Sequence, residues 1–174
     1  MTSFRVLFCF ALAVSACASS REAIRARSPI AELNTHDLVA VKGYDPVAYF
    51  TEAKPIRGNP QISCSWKGAK WYFSSNQNRA AFGHDPEKYA PQFGGYCAFA
   101  MSKGNIADIR PNQWNVVDAK LYLNNNAFAR ALWNSNRAAK IKSGNANWKI
   151  MPRKPLPSAI KEGGSSCSQY ALSH

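Results

Sequence analysis

The sequence predicts an α+β domain made of small antiparallel hairpins packed with several short helices and one longer C-terminal helix. Two observations carry this expectation. Short runs alternate between apolar and polar residues with period two and are separated by turn residues. Between them recur polar capping residues followed by proline or by apolar residues at helical spacing. No repeat of solenoid type is visible, and 174 residues fit one domain with appendages.

Leu38 to Val41 has strand content and runs into Gly43, a turn. Asp45 then caps a short helix that Pro46 begins and that reaches about Thr51, because the first helical turn leaves its amides unpaired and proline lacks only such a donor. Val47, Tyr49 and Phe50 turn inward. Ile62 to Trp66 and Lys70 to Ser74 alternate on either side of Lys67-Gly68-Ala69, which predicts a hairpin. Ser74 or Ser75 caps a helix to about Phe82, and Asp85-Pro86 starts another to Tyr89, ended by Pro91.

Gly94-Gly95 opens a turn, after which Tyr96 to Met101 forms a helical turn carrying Cys97. Trp114 to Val117 and Leu121 to Asn124, joined by Asp118-Ala119-Lys120, predict a second hairpin. From Asn125 to Ser143 one helix is expected, with Phe128, Ala131, Leu132 and Ala139 on a common face and Gly144 as its stop; Trp148 then packs back.

The ends read differently. Arg5 precedes the apolar run Val6 to Ala13, and Val14-Ser15-Ala16-Cys17 follows, so residues 1–16 form a lipoprotein-type signal peptide. The run is too short for a bilayer core of about 30 Å. Val14-Ser15-Ala16-Cys17 resembles the bacterial lipobox, which makes Cys17 the lipid-bearing first residue; cleavage after Ala18 fits the small-x-small rule as well. The first reading anchors the protein to the periplasmic side of a bacterial membrane, and the second leaves it soluble in the periplasm or secreted. Residues 17–35 are expected to be a tether, 36–151 the domain, and 152–174 a disordered tail.

Lys and Arg number 22 against 10 Asp and Glu, a net charge of +12. Export and the scatter of these cations exclude nucleic acid as a partner and leave a solvated basic surface suited to lipid headgroups or an acidic envelope protein. With Cys9 removed and Cys17 lipidated, Cys64, Cys97 and Cys167 remain, so at least one thiol stays unpaired within the chain.

Gly43-Tyr-Asp-Pro-Val-Ala-Tyr-Phe50, Lys70-Trp-Tyr-Phe-Ser-Ser75, Ala81-Phe-Gly-His-Asp-Pro-Glu-Lys-Tyr89 and Phe93-Gly-Gly-Tyr-Cys-Ala98 together resemble the YHS-domain family. The likeness covers residues 36–150 and is nearest the exported bacterial branch labelled YHS-domain (seleno)protein. It implies a treble-clef-like core and, through the metal-handling members, copper or zinc as cofactor. The three cysteine positions of that metal pattern hold Ala48, Ser74 and Asn78 here, so the thiolate site of the family is not built.

His84 and Cys97 are the remaining candidate metal ligands; His84 also reads as a surface or capping histidine, and His36 ranks below it. Cys97, with Tyr44, Asp45 and Tyr96, makes the candidate ligand site. Cys97 alternatively reads as a buried structural thiol or as the partner of Cys64. Three classes of function follow: a non-catalytic module binding a metal ion, metal complex or small ligand beside Cys97; a structural or interaction protein of the cell envelope; and a thiol-dependent redox enzyme using Cys97. No hydrolase, metalloprotease, phosphate-loop or dinucleotide motif is present.

The lipobox reading is checked by the intact mass of the mature protein. A lipid-modified Cys17 at the N-terminus is expected, and an unmodified chain beginning at Ser19 would reject it.

Overall fold

Three hairpins set the framework, and each turns on two residues in the left-handed region. The computed structural model describes residues 19–157 and 165–172; residues 1–16 and Cys17 lie outside them. Residues 19–25 form helix α1. Strands β1 (Ile30–Ala31), β2 (Thr35–His36) and β3 (Val39–Ala40) lead to a 3-10 turn, Val41–Gly43, and the short helix α2 (Ala48–Thr51). Then come β4 (Asn59–Trp66), β5 (Ala69–Phe73), α3 (Asn76–His84) and α4 (Pro86–Tyr89). A second 3-10 turn, Gln92–Gly95, precedes α5 (Ala98–Ser102), β6 (Arg110–Val117), β7 (Lys120–Asn124), α6 (Ala127–Asn134), α7 (Arg137–Ile150) and β8 (Arg153–Lys154). The described chain ends in a 3-10 turn, Cys167–Leu172.

The α+β class is as expected. One sheet has the order β2-β3-β5-β4, β6 and β7 form a second, and β1 pairs with β8 in parallel. The hairpin turns are Asp37-Leu38, Lys67-Gly68 and Asp118-Ala119, all at positive φ, the geometry that follows the right-handed twist of the strands. Ala69 and Lys120, expected in the turns, are strand residues.

A repeat emerges that the sequence does not display. Moving 51 residues along the chain takes β4 (59–66) onto β6 (110–117) and turn 67–68 onto turn 118–119. It also takes the helix cap Ser75 onto Asn126, and the cap Asp85 onto Asn136. The pairings coincide: Asn59 faces Phe73 where Arg110 faces Asn124, and the bulge of each hairpin falls at the same place, between Asn59 and Ser63 and between Arg110 and Trp114. Upstream the spacing is 52. Val41-Lys42-Gly43 and Phe93-Gly94-Gly95 are each left-handed throughout, and the amides of Tyr44 and Tyr96 close the two turns on Val41 and Phe93. The chain is thus two units of one design: 3-10 turn, short helix, hairpin, capped helix, second capped helix.

Phe82 and Trp133, corresponding positions on α3 and α6, are both fully buried and centre two apolar clusters. Phe82 packs on Trp71, Phe73 and Trp66, and Trp133 stacks on Tyr122 at 5.1 Å between ring centroids.

Four expectations need correction. The single helix from Asn125 breaks at Ser135-Asn136, because Asn136 turns its side chain onto the Ala139 amide and caps a new helix. Its buried face is Ala129 and Trp133, while Phe128 is 72% exposed; Trp133 has the larger surface to hide. Gly144 does not end α7 but lies buried inside it, since a Cβ there would stand 2.7 Å from the Phe93 ring. And the ends are packed: Ile24 and Leu33 are buried, and Cys167 is 1% exposed and bonded to Cys64. Residues 165–172 of the expected tail, and the tether from Ile24, therefore belong to the fold.

The Cys64–Cys167 bridge closes a separation of 103 residues and holds the last turn against α3, where Arg79 lies 3.7 Å over the Tyr170 ring. Replacing both cysteines by serine is expected to lower the unfolding free energy by about 2–5 kcal/mol, read from urea denaturation. An unchanged midpoint would show that the bridge contributes nothing.

Candidate functional site

Asp45 is completely buried, and none of the ion pairs among the described residues involves it. A carboxylate in that position must be satisfied by hydrogen-bond donors. The start of α2 supplies two: the amides of its N-cap Val47 and of Ala48 donate to Asp45 Oδ1 at 2.8 and 3.4 Å. The end of β5 and the first turn of α3 supply three more. The Ser74 amide, the Ser74 hydroxyl and Asn78 Nδ2 donate to Asp45 Oδ2 at 2.8, 2.7 and 2.7 Å. Asn78 Nδ2 also donates to Ser74 Oγ at 3.3 Å, so the knot is closed on itself.

Ala48, Ser74 and Asn78 are the three positions at which the family likeness places thiolates. The fold brings them together, as a metal site would need, but around a carboxylate they already satisfy. Of the two serines that could cap the following helix, Ser75 does so, its hydroxyl accepting from the Asn78 amide, and Ser74 is left to bond Asp45.

Cys97 stands in the second unit where Asp45 stands in the first. The Asp45 amide bonds to Ile56 O and the Cys97 amide to Ala107 O; Ser74 N donates to Asp45, and Asn125 N, 51 residues on, donates to Cys97 Sγ at 3.3 Å. The thiol donates to Asn124 Oδ1 at 3.8 Å, and that oxygen also accepts from the Phe99 amide. This knot is weaker, since sulfur is a poor acceptor and Asn124 Nδ2, though buried, has no partner among the described residues. Cys97 is free and 1% exposed, with protein atoms on each side of its sulfur. It is not Cys64's partner.

The candidate ligand residues are drawn from both units, and Tyr44 packs against the same apolar cluster that holds Cys97. Tyr44 and Tyr96 are counterparts, like Asp45 and Cys97, so the four belong to two separate units. Tyr44 lies under the Arg57 guanidinium, 5.2 Å from its ring centre. Tyr96 is buried, and its hydroxyl donates to Ala31 O at 3.1 Å; burial, helped by the charge of Asp108, pushes this phenol up. His84 is exposed on a shallow cleft of about 440 Å³ with Gln77, Asp85, Lys88 and Tyr89, none of them a thiol. Among the described residues, no three His, Cys, Asp or Glu side chains are grouped to hold a metal ion.

A second site was missed from sequence. A cleft of about 530 Å³ opens beside the first 3-10 turn, lined in part by His36, Lys42, Arg57, Pro60 and Tyr72. Lys42 Nζ donates to Asp108 Oδ2 at 2.5 Å, and His36 Nε2 lies 3.1 Å from the same oxygen. Partial burial alone would raise the Asp108 pKa; hydrogen bonds from Lys42, Asn34 and the Ile109 amide outweigh it and hold the carboxyl well below the usual range. The signal available in sequence was Lys42 before Gly43, set against Gly94 before Gly95.

The family comparison agrees with this anatomy. The model of the YHS domain matches residues 47–93. The match ends in the 3-10 turn that opens the second unit. Functionally described proteins and solved structures give no match.

Asp45→Ala leaves five donors facing a void and is expected to cost about 3–4 kcal/mol of stability. Ser74→Ala is expected to cost about 1 kcal/mol. Chemical denaturation of both variants checks this order, and an Asp45→Ala protein as stable as wild type would contradict the knot.

Proposed function

We propose that the protein is a non-catalytic interaction module of the cell envelope, exported, carried on the periplasmic side of a bacterial membrane by lipid on Cys17, and acting through contact with another envelope protein. The observation that supports this most is the Asp45 knot. A YHS domain suggests a metal-related module, but here the three positions suited to thiolates are an alanine, a serine and an asparagine, the latter two bonded to a buried carboxylate. Soft metals such as Cu(I) and Zn(II) compete poorly for hydroxyl and amide groups.

A ligand site beside Cys97 is less well supported, because the sulfur is enclosed and bonded on both sides. A redox role meets the same obstacle: a reactive thiol needs access to its substrate. The basic composition, +12 over the chain, favours an acidic partner or an anionic membrane surface.

Titration of the mature protein with Cu(I) and Zn(II) tests the reading. No stoichiometric binding is expected for wild type, Cys97→Ser or His84→Ala. One equivalent of metal bound by wild type and lost in either variant would overturn it in favour of a metal-binding module.

A further inference from the structure

The two units differ most in what covers their 3-10 turns. In the second unit the turn is covered by the chain's own residues 31–34. The Asn34 amide donates to Gly94 O at 2.8 Å, and Asn34 Nδ2 donates to Gly95 O at 3.1 Å and to Asp108 Oδ1 at 3.0 Å. Tyr96 holds Ala31 from the other side. The stretch lies so close that a Cβ on Gly94 would be 2.0 Å from Glu32 O.

The matching place in the first unit is the open cleft. Lys42 corresponds to Gly94, Gly43 to Gly95, and Arg57 to Asp108. We propose that this cleft receives an extended acidic peptide of a partner protein, as the second unit receives residues 31–34. Charge is the reason for the acid. Where Asp108 accepts from the Asn34 side chain, the first unit presents Arg57, with Lys42 and His36 beside it.

Arg57 is set in place for this. It stacks on Tyr44 and donates one of its five N–H groups to Lys42 O at 3.2 Å, the carbonyl that corresponds to the one Asn34 engages in the second unit. Lys42 has a side chain where Gly94 has none, so the partner strand runs over Lys42 rather than against the backbone. The cleft's volume of about 530 Å³ leaves room for that, and Tyr72 and Pro60 give its side chains an apolar wall. An acidic side chain then makes charge-assisted hydrogen bonds to Arg57. Asp108, the acid bonded to both Lys42 and His36, limits their share and makes Arg57 the principal anchor.

This inference rests on the reading of the protein as an interaction module but not on its metal chemistry, so the metal titration and the following test fail independently. The probe is acetyl-Ile-Ala-Glu-Leu-Asp-Thr-amide, which copies residues 30–35 with aspartate in place of asparagine; the asparagine peptide is the control. Amide NMR spectra of the mature protein are expected to shift at Lys42, Gly43, Gly58 and Tyr72, with the aspartate peptide bound about tenfold more tightly.

Arg57→Asp is expected to abolish or reverse that preference while leaving amides of the second unit in place, since Arg57 is exposed. The proposal is overturned if those amides do not move up to about 5 mM peptide, or if the two peptides bind alike. It is overturned equally if N-acetyl-aspartate amide binds as well as the peptide, which would mark a small-anion site, or if the protein is a dimer that Arg57→Asp dissociates.

Discussion

One carboxylate, Asp45, decides how the first unit is assembled. Its five donors come from three elements that are distant in sequence: the start of α2, the end of β5 and the first turn of α3. Any displacement of one element strands either a buried oxygen or a buried N–H, each costing about 1–3 kcal/mol. Helix, hairpin and capped helix are therefore locked to one point. That point adjoins the Val41–Gly43 turn, whose left-handed residues would otherwise relax. The walls of the Arg57 cleft are fixed by an interaction that lies wholly behind them.

The second unit uses the same backbone with different chemistry. Cys97 takes the place of Asp45, its sulfur gathers one amide, and the Phe93 ring against Gly144 adds packing where the first unit has hydrogen bonds. The peptide 31–34 adds more, tying the N-terminal stretch to the turn and to Asp108. Comparison of the units separates what the design requires from what was free to change. The left-handed triplets, the bulges and the caps occur in both, so they are structural; Lys42 and Arg57 occur in one, and they face a cleft.

Local signals in the sequence carried most of the framework. Both hairpins and the Asp85 cap are readable because a turn, a cap and a proline act within a few residues. What failed depended on distance. Phe128 reads as apolar and inward until Trp133 takes the buried face, and Gly144 reads as a stop until Phe93, far away in sequence, requires it. Cys64 has a neighbour in Cys97 by sequence but finds Cys167 in space. The repeat escaped because few identities survive, such as Gly43-Tyr44 with Gly95-Tyr96 and Pro60 with Pro111. Asp45, read as a helix cap, and Cys97, read as a candidate ligand thiol, both follow Gly-Tyr; their unlike chemistry obscured that they are equivalents.

The bridge between Cys64 and Cys167 has a consequence for how the chain matures. Synthesis runs from the N-terminus, so Cys64 emerges about a hundred residues before its partner and waits as a thiol. Cys97 emerges during that interval and would be the nearest wrong partner. Its sulfur is sealed by Asn124 and Asn125, which end the hairpin that follows it. In the folded chain that closed hairpin keeps Cys97 from exchange with the bridge. The burial of Cys97 thus leaves the Cys64–Cys167 pair without an exposed competing thiol among the described residues.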